Sequence, residues 1–436
     1  MSVRSFQAGI HPPQFKEATS GKEVVDIALP EEVVIPLWQH VGAPCDPLVK
    51  VGDRVLAGQK IGDSDAFVSA PVHASVAGEV TAIEPRPSFD GTEVNSVVIS
   101  VAEKQESVEF PPGKGVDEAT PEDIKKAARE AGIVGMGGAA FPTSVKLSPP
   151  PDKPIDSLII NGGECEPFLT CDHRGMLEET DELIQGTRLL MKAVGASRGY
   201  FGIEDNKPDA IELLTEKVSG IEDMEVVPLV AKYPQGAEKQ LIKAVLDREV
   251  PPGALPMEVG ALVHNVNTAL AIYQAVTGGI PLIERVVTVS GPCVTEPKNV
   301  RAKVGTPVRH ILEQCEGTEG AAKVILGGPM TGFAQSSLGV PIVKGTGGIL
   351  ALPPEMVEDE EWLPCVRCGK CVEACPMFLY PNFIGTYAEA GEYDQADAWG
   401  VLDCMECGIC AYVCPSKRPL IQFVRSAKAD IMARRN

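Results

Sequence analysis

The sequence has little basic charge and lacks several features that mark common classes of protein. Its 436 residues include 60 acidic and only 39 basic side chains, for a formal charge of −21. Such a surface repels phosphate backbones and anionic lipid head groups, which argues against nucleic-acid binding and against electrostatic attachment to membranes. The opening residues, MSVRSFQAGIHPPQFK, contain no apolar run typical of a secretory signal, so we expect the chain to begin in the cytoplasm.

A long run without charged residues extends from Val259 to Ile283. Its length would suffice to cross a bilayer of about 30 Å. The run contains His264, Asn265 and Asn267 and a Gly-Gly-Ile-Pro break, which are costly or disruptive in hydrocarbon. We therefore predict a buried helix here rather than a membrane span.

Length and composition indicate a folded chain of several domains. At roughly 100 to 200 residues per domain the length predicts two to four domains, and a composition of 44% apolar and 23% charged residues can form a core in each.

Residues 1–105 contain short Val/Ile-rich runs between Gly, Pro and Asp, which predicts β structure. Two similar halves, PLVKVGDRVLAGQKIGD and SAPVHASVAGEVTAI, resemble the barrel-sandwich hybrid of lipoyl and biotinyl domains. The hairpin tip, Asp63 to Phe67, lacks the lysine that those domains modify, so the resemblance implies the fold only.

Residues 115–280 have the pattern of an α/β domain, after a polar linker at 103–115. Thr120 as N-cap and Pro121 at the first position predict a helix that ends at Glu130 or Ala131. Apolar strands then alternate with longer helices, which indicates a parallel sheet covered on both faces. The predicted strands are 158–160, 199–203 and 225–230, and the predicted helices are 177–193, 209–218 and 237–246.

Two smaller regions complete the chain. Residues 284–350 begin with the strand-like ERVVTVSG, continue through a short helix started by Thr306 and Pro307, and reach the strand VILGGPMTG. This order predicts a small α+β module of ubiquitin-like size. An acidic linker, residues 353–361, separates it from a cysteine-rich region at 362–436.

Eight of the thirteen cysteines lie in two short runs of the form C-x2-C-x2-C-x3-C-P. This is the bacterial two-cluster ferredoxin pattern, in which the first three cysteines of a run hold one [4Fe–4S] cluster and the fourth holds the other. The alternative, structural zinc, normally uses two C-x2-C pairs spaced farther apart. The predicted ligand sets are Cys365, Cys368, Cys371 and Cys414 for one cluster and Cys404, Cys407, Cys410 and Cys375 for the second.

The other five cysteines, at 45, 165, 171, 293 and 315, show no metal-ligand spacing. A cytoplasmic compartment keeps thiols reduced, so we expect no disulfide framework. Buried, inert thiols are the expected state of these residues.

Two loops could hold a nucleotide. A glycine-rich loop, residues 132–146, contains Gly135, Gly137 and Gly138 and ends at Lys146, so its N–H groups and its lysine could bind a phosphate. Alone, this loop is more often a simple turn. An acidic turn, Asn161-Gly-Gly-Glu-Cys-Glu-Pro, directly follows a predicted strand, and ligand sites of α/β sheets lie at such carboxyl ends.

Together the two loops resemble the flavoprotein subunit of respiratory complex I, whose FMN/NADH site carries GRGGAGFPTGLKW and NADEGEP. The whole chain resembles more closely the RnfC family, the C subunits of the Rnf complex, which is the ion-translocating ferredoxin:NAD oxidoreductase. His11-Pro-Pro, the FPT and ECEP turns, Gly327-Gly-Pro-Met and the tandem clusters occur in the order of that family. The implied fold is a multidomain α/β protein with a barrel-sandwich hybrid, a Rossmann-like FMN/NADH domain, a β-grasp (SLBB-like) module and a two-cluster ferredoxin-like domain.

The resemblance also implies roles for individual residues. The loop glycines and Lys146 would contact FMN, while Asn161 and Glu164 would hydrogen-bond the flavin. Glu166 corresponds to an acid that contacts NADH. Glu166 and Lys146 are the two residues expected to contribute most to activity. The turns YPQGAE and VHNVNT resemble the family's YICGEE and VNNVET, which suggests three further contacts, Gly236, Glu238 and Asn265.

Three positions depart from the complex I pattern: Met136 replaces an arginine, Gly163 an aspartate and Ala237 a glutamate. Each change removes a charged contact, so FMN would be held more weakly or partly by other groups. The β-grasp module could bind a ligand or act as a spacer.

The implied function is hydride exchange between NAD(H) and FMN, followed by one-electron transfer through the two clusters to or from partner subunits. In the family, electrons flow from ferredoxin to NAD+, coupled to Na+ or H+ movement, and the protein sits peripherally on the cytoplasmic side of the cell membrane. One alternative is a soluble NADH-dependent cobalamin reductase, although that family has its flavin loop near the N-terminus. The other is a non-enzymatic electron carrier or scaffold whose flavin site has decayed.

Overall fold

Short strands form the N-terminal part of the computed structural model, which describes residues 3–317, 319–357 and 361–435. The strands are β1 (Val25–Asp26), β2 (Glu32–Pro36), β3 (Asp46–Pro47), β4 (Arg54–Val55), β5 (Lys60–Asp63), β6 (Val72–His73), β7 (Gly78–Pro87) and β8 (Glu93–Val101). Sheets of order β2-β8-β7-β4 and β3-β5-β6 pack around one core of small branched side chains such as Val33, Val72 and Ile99. The barrel-sandwich prediction is confirmed.

The barrel loop that lacks a lysine is tied to the next domain. Asp63 accepts hydrogen bonds from Arg129 Nη2 at 2.7 Å and from Lys60 Nζ at 3.0 Å. Arg129 also donates to the carbonyl of Ser64 at 2.8 Å. A loop bound in this way does not act as a swinging arm.

Residues 4–26 run outside this barrel. Arg4 forms a bridge to Leu229 and Ile10 one to Tyr233, both in the following α/β domain. The segment then ends as strand β1, whose Val25 pairs in parallel with Val300 of the β-grasp sheet. It therefore connects the α/β domain with the β-grasp module.

The α/β domain has the alternation that the sequence predicts. Its elements are α1 (Pro121–Glu130), α2 (Thr143–Lys146), β9 (Ser157–Gly162), α3 (Cys171–Glu178), α4 (Thr180–Val194), β10 (Arg198–Glu204), α5 (Pro208–Val218), β11 (Met224–Leu229), α6 (Glu238–Leu246), β12 (Ala261–Asn265) and α7 (Val266–Gly278). The sheet is parallel, in the order β11-β10-β9-β12. Helix α1 begins at the predicted cap, where Thr120 and Asp123 form a capping box.

Two helix predictions in this domain are correct only in part. The buried helix predicted in the uncharged run 259–283 is α7, but a buried strand, β12, precedes it, because Asn265 caps a new helix by accepting from Asn267 N at 2.8 Å. The helix predicted at 177–193 is α4, which begins at Thr180, and residues 177–178 belong to the end of α3. Glu179 separates them with φ −125° and ψ 38°, outside helical geometry.

The β-grasp module contains β13 (Glu284–Ser290), β14 (Lys298–Lys303), α8 (Val308–Glu313), β15 (Lys323–Leu326), β16 (Phe333–Ala334) and β17 (Gly348–Leu352). Its sheet has the order β1-β14-β13-β17-β15-β16, so its first strand comes from the N-terminal segment. Helix α8 packs Val308, Ile311 and Leu312 against the sheet. Part of the acidic linker predicted at 353–361, residues 358–360, lies outside the described residues.

The cysteine-rich region is helical, with α9 (Lys370–Glu373), α10 (Pro381–Glu389), α11 (Tyr393–Ala398), α12 (Ile409–Tyr412) and α13 (Leu420–Arg435). The short helices α9 and α12 follow the two cysteine loops and each begins after a glycine with positive φ, Gly369 or Gly408. A left-handed residue at that point suits glycine, and it lets each loop fold back on itself. Helices α10, α11 and α13 pack together around Ile384, Ala396 and Val424.

Candidate functional site

The carboxyl edge of the parallel sheet, between the ends of β9 and β12, is the position at which this kind of sheet forms a ligand crevice, and it is called the crevice below. From β9 the chain passes to β10 and β11 on one side, and it later returns to β12 on the other side. The order of strands therefore reverses between β9 and β12, and α/β proteins bind ligands at such switch points. Asn161 and Asn265, at the ends of these two strands, lie in register beside each other.

Asn161 joins the acidic turn to the turn that contains Gly236. Its Nδ2 donates to the Gly236 carbonyl at 2.7 Å, and its Oδ1 accepts from Gly163 N at 3.0 Å. A Cβ at Gly163 would lie 3.1 Å from the Gly236 Cα. The close approach of these two backbones explains why a glycine stands at 163, where the complex I pattern has an aspartate.

Glu164 binds the start of helix α3. One carboxylate oxygen accepts from Asp172 N at 2.7 Å and the other from His173 N at 3.3 Å. A carboxylate at a helix N-terminus satisfies free N–H groups and is favoured by the helix dipole. The structure thus brings Glu164 to the crevice with its carboxylate already bound to protein.

The glycine-rich loop packs against Asn265. Gly135 N donates to the Phe141 carbonyl at 2.9 Å, which closes the loop. A Cβ at Gly137 would lie 3.1 Å from the Asn265 Cβ, whereas a Cβ at Gly138 would have no atom within 4 Å. The loop therefore contacts the strand end at one glycine and presents open space at the next, as expected of a cradle for a ligand.

Behind the loop, Asp172 holds the end of β12. It accepts from Asn265 Nδ2 at 2.7 Å and from Asn267 Nδ2 at 2.6 Å. Burial, followed by the charge of Glu164, raises the pKa of Asp172 to about 7. Asn265, a predicted cofactor contact, is thus buried and fixed by protein groups.

Lys146 and Glu238 form an ion pair at the side of the crevice. The Lys146 Nζ lies 2.7 Å from the Glu238 Oε1, and both side chains are partly exposed. Glu238 is the first residue of α6, and Lys146 is the last of α2. The structure brings these two predicted site residues together.

Glu166 extends to the β-grasp module. Its carboxylate accepts from Met330 N at 3.0 Å and from Thr331 N at 2.9 Å, and the Thr331 hydroxyl donates to it at 2.5 Å. Burial raises the pKa of Glu166, and these donors oppose the rise. The predicted NADH contact is therefore engaged by a loop, residues 327–332, that sequence reasoning did not connect with it.

Two buried lysines support the acidic turn from below. Lys16 Nζ donates to the carbonyls of Glu164 and Glu166, each at 2.9 Å, and Lys207 Nζ donates to the carbonyl of Gly163 at 2.7 Å. Sequence reasoning missed both, since neither belongs to a recognisable motif. Lys16 lies about 150 residues before the turn.

The eight clustered cysteines line two cavities. Cys365, Cys368 and Cys371 share one with Cys414, and Cys404, Cys407 and Cys410 share the other with Cys375. Each set therefore combines three cysteines of one run with the fourth of the other run. Burial, followed by the neighbouring thiols Cys404 and Cys375, raises the pKa of Cys407 to about 12. Four cysteine sulfurs around one cavity fit an iron–sulfur cluster, because its positively charged iron atoms favour thiolate ligands.

The second cavity adjoins the α/β domain, and the first is more exposed. Tyr233 Oη donates to the Cys407 carbonyl at 2.8 Å. A Cβ at Gly408 would lie 2.6 Å from the carbonyl oxygen of Met330, in the loop that binds Glu166. Cys365 and Cys368 of the other set are exposed. We call the set with Cys407 the inner set and the set with Cys365 the outer set.

Within the described residues, no helix combines the length and apolar character needed to span a bilayer.

Four protein families match consecutive parts of the chain. The RnfC barrel sandwich hybrid domain matches residues 4–104, and the Nuo51 FMN-binding domain matches residues 128–274. The SLBB domain matches residues 286–334, and the 4Fe-4S dicluster domain matches residues 356–415.

Curated relatives match over nearly the whole length. The chain is 46% identical to the C subunit of the proton-translocating ferredoxin:NAD(+) oxidoreductase complex of Clostridium ljungdahlii, covering 98% of this chain and 94% of that protein. It is 44% identical to the C subunit of the Na(+)-translocating complex of Acetobacterium woodii, covering 99% and 98%. It is 40% identical to the C subunit of the ion-translocating oxidoreductase complex of Rhodobacter capsulatus, covering 99% and 84%.

Among solved structures, a chain of the NAD+-reducing [NiFe]-hydrogenase in its H2-reduced state superposes with a TM-score of 0.53 at 19% identity. The match covers 73% of this chain and 64% of the hydrogenase chain. At that identity the likeness concerns the fold alone.

Proposed function

The chain belongs to the RnfC family, the C subunits of the ion-translocating ferredoxin:NAD+ oxidoreductase complexes, and from that membership we propose that it is the NAD(H)-reacting subunit of such a complex. It exchanges electrons between NAD(H) and partner subunits, with FMN in the crevice and two [4Fe–4S] clusters in the cysteine cavities. The observation that carries this proposal is the contact between the acidic turn, the 327–332 loop and the inner cysteine set.

The crevice residues bind and orient the cofactors. Bound FMN supplies the exchange between two-electron hydride chemistry with the nicotinamide and one-electron chemistry with the clusters. The N–H groups of Gly137 and Gly138 are the proposed phosphate donors. Gly135, whose N–H is held by the Phe141 carbonyl, is a proposed contact of FMN through the shape of the loop that it closes. Lys146 is proposed to neutralise the negative charge of the phosphate. Its ion pair with Glu238 would be weakened when it does so.

The strand ends and the turns complete the proposed cofactor contacts. Asn161 presents its amide at the end of β9, and Gly236 leaves room beside it. Asn265 forms the opposite wall. Glu164 positions the start of helix α3 by accepting hydrogen bonds from its backbone N–H groups. It remains a proposed hydrogen-bond partner of the flavin.

Glu166 is proposed to act at the NADH entrance. Both of its oxygens are bound by Met330 and Thr331, which supports a role in holding the 327–332 loop against the acidic turn. Direct contact with NADH stays a prediction. Glu166→Gln removes an acceptor from this cluster and should weaken NADH-dependent activity more than FMN binding.

The cysteine sets suggest an order of electron transfer. The inner set touches the flavin domain through Tyr233 and Gln240, which donates to the Pro376 carbonyl at 3.1 Å. The outer set, with Cys365 and Cys368, is open to a partner. We therefore propose that electrons pass between the crevice and the inner set, and then between the outer set and partner subunits.

The remaining assignments follow from the relatives' names. Proton- and Na+-translocating complexes are both among them, so we propose a translocase role for the assembled complex and a peripheral position for this protein on the cytoplasmic side of the cell membrane. Electrons are proposed to flow from ferredoxin to NAD+. The proposed domain division is 1–105, 115–280, 284–350 and 362–436.

A reconstitution experiment tests the proposal. The purified chain, loaded with flavin and iron, should bind about one FMN, and NADH should bleach the flavin and reduce an artificial acceptor. Co-purification with membrane subunits should accompany this activity. A loaded protein whose flavin NADH does not bleach contradicts the NADH assignment. Recovery alone in the soluble fraction favours the cobalamin-reductase or scaffold alternatives.

Matched serine variants test the crossed ligand sets. Cys375→Ser and Cys404→Ser should remove the same cluster, leaving about half of the iron and one common electron paramagnetic resonance signal after reduction. Cys414→Ser and Cys368→Ser should leave the other signal. If Cys375→Ser instead matches Cys368→Ser, the fourth ligands do not cross.

A further inference from the structure

Arg285 is a buried arginine with unsatisfied hydrogen-bonding capacity. It lies near the start of β13 in the β-grasp module and is 3% exposed. Its Nε donates to the Thr346 carbonyl at 3.3 Å, and its Nη1 contacts the Met136 Sδ at 2.6 Å. Its Nη2 has no hydrogen-bond partner in the described part of the chain.

The guanidinium lies against the glycine-rich loop, at Met136. Met136 immediately precedes Gly137, the glycine that rests on Asn265. Thr346 belongs to a turn that packs against the same loop, since a Cβ at Gly345 would lie 3.4 Å from the Ala140 Cβ. The β-grasp module therefore places a guanidinium against the loop proposed to hold FMN.

No protein acceptor near Arg285 in the described residues fully satisfies it. Asp172 lies close enough to influence the guanidinium electrostatically, together with Cys171, although burial is the larger influence and lowers the arginine pKa. Both oxygens of Asp172 already accept from the amides of Asn265 and Asn267. The sulfur of Met136 is a weak acceptor. A buried charged donor without a hydrogen-bond partner destabilises the folded state, so an unpaired N–H of this kind calls for a partner.

We propose that Arg285 is an FMN-binding residue, and that its guanidinium donates to an oxygen of FMN held by the glycine-rich loop. The acceptor is an oxygen of the phosphate or of the flavin ring, and both suit a planar cationic donor. The inference rests on the proposed function, because FMN is the ligand. It makes the β-grasp module part of the flavin site rather than a spacer.

Binding titrations test this assignment directly. The cluster-loaded protein is stripped of flavin, and FMN or riboflavin is added while flavin fluorescence is followed. Arg285→Met should weaken FMN binding tenfold or more, and Arg285→Lys should weaken it less, because lysine keeps the charge and loses the planar fork. Arg301→Met is the matched control. Arg301 lies on the neighbouring strand β14 and pairs with Glu179 and Glu284 away from Met136, so its loss should change the FMN affinity less than twofold.

The riboflavin arm identifies the acceptor, and a second variant separates binding from folding. A loss confined to FMN identifies the phosphate, and an equal loss with riboflavin identifies the ring. Adding Met136→Arg to Arg285→Met returns a guanidinium to the same place and should recover part of the FMN affinity, which a purely structural defect would not do.

The outcomes separate this inference from the proposed function. A folded Arg285→Met protein that binds FMN as tightly as wild type overturns the inference and leaves the proposed function standing. If Arg285→Met does not fold, wild-type affinity in Arg285→Lys overturns it. A wild-type protein that binds no FMN defeats the proposed function itself.

Discussion

At the scale of single residues, the neighbouring glycines 137 and 138 have opposite surroundings. The first is pressed against Asn265, which cannot retreat because Asp172 and the start of helix α7 both hold it. The second faces open space. Gly137 is therefore required by packing within the protein, whereas Gly138 is predicted to leave room for a ligand.

The two alanine variants should therefore behave differently. Gly137→Ala should lower the thermal midpoint of the flavin-free protein, because its Cβ crowds Asn265 by a few tenths of an ångström, at a cost of about 1–3 kcal/mol. Gly138→Ala should leave that midpoint unchanged and still weaken FMN binding. Differential scanning fluorimetry and fluorescence titration measure the two effects. Equal FMN affinity in Gly138→Ala and wild type would show that no ligand fills this space.

Residues with a local pattern could be predicted, and residues paired over long distances could not. The cysteine runs and the turn after β9 are local, because spacing and strand order alone indicate their chemistry. Lys16, Lys207 and Arg285 are single basic residues in unremarkable surroundings. Only the fold reveals that the first two lie under the acidic turn and the third against Met136.

At the scale of elements, caps decided which predictions succeeded. The predicted start of α1 is correct because Thr120 and Asp123 satisfy each other's backbone groups. The run 259–283 was misjudged in part because apolar composition alone does not separate a buried strand from a buried helix. The side chain of Asn265 marks the boundary, and an asparagine followed by a helical pattern was the available signal.

Lys344 joins three elements from one buried position. It precedes β17, and its Nζ donates to the carbonyls of Pro71 in the barrel and Gly132 at the start of the glycine-rich loop, each at 2.7 Å. Burial lowers the pKa of Lys344 to about 7. The folded protein therefore releases a proton near neutral pH that the unfolded chain keeps up to its ordinary pKa near 10.5.

This difference predicts the pH dependence of stability. Between about pH 7 and 10 the unfolded state binds more protons, so wild type should gain stability relative to Lys344→Met as pH rises, by at most about 1.4 kcal/mol per pH unit. Below pH 7 the difference between the two proteins should be constant. Urea unfolding at pH 6 to 9 measures it, with Lys323→Met on β15 as the control. A difference that stays flat or shrinks above pH 7 refutes the prediction.

At the scale of the whole molecule, exposed apolar residues surround the outer cysteine set. Leu363 and Val366, which flank Cys365, are 60% and 67% exposed. Apolar side chains beside an exposed electron-transfer site are typical of a protein interface. The strong negative charge of the chain disfavours anionic lipid as the contacting surface.

Substitution at this surface should separate assembly from chemistry. Leu363→Glu should keep flavin and iron content and NADH-dependent dye reduction near wild type, because Leu363 lines neither the crevice nor the cavity of the outer set, whereas Val366 lines that cavity. The Leu363→Glu substitution should sharply reduce co-purification with membrane subunits. Phe67→Glu, at an exposed position on the barrel loop, is the matched control and should leave co-purification intact. Full recovery of the complex with Leu363→Glu would exclude this surface as the interface.

The path of residues 4–26 has a consequence for building hybrid proteins. This segment precedes the barrel in the chain, yet it supplies Lys16 to the acidic turn and strand β1 to the β-grasp sheet. A chimera that exchanged the barrel together with everything before it would also replace the support under the flavin site. Grafts between relatives should therefore join within residues 27–31, so that each recipient keeps its own leading segment and receives only the barrel.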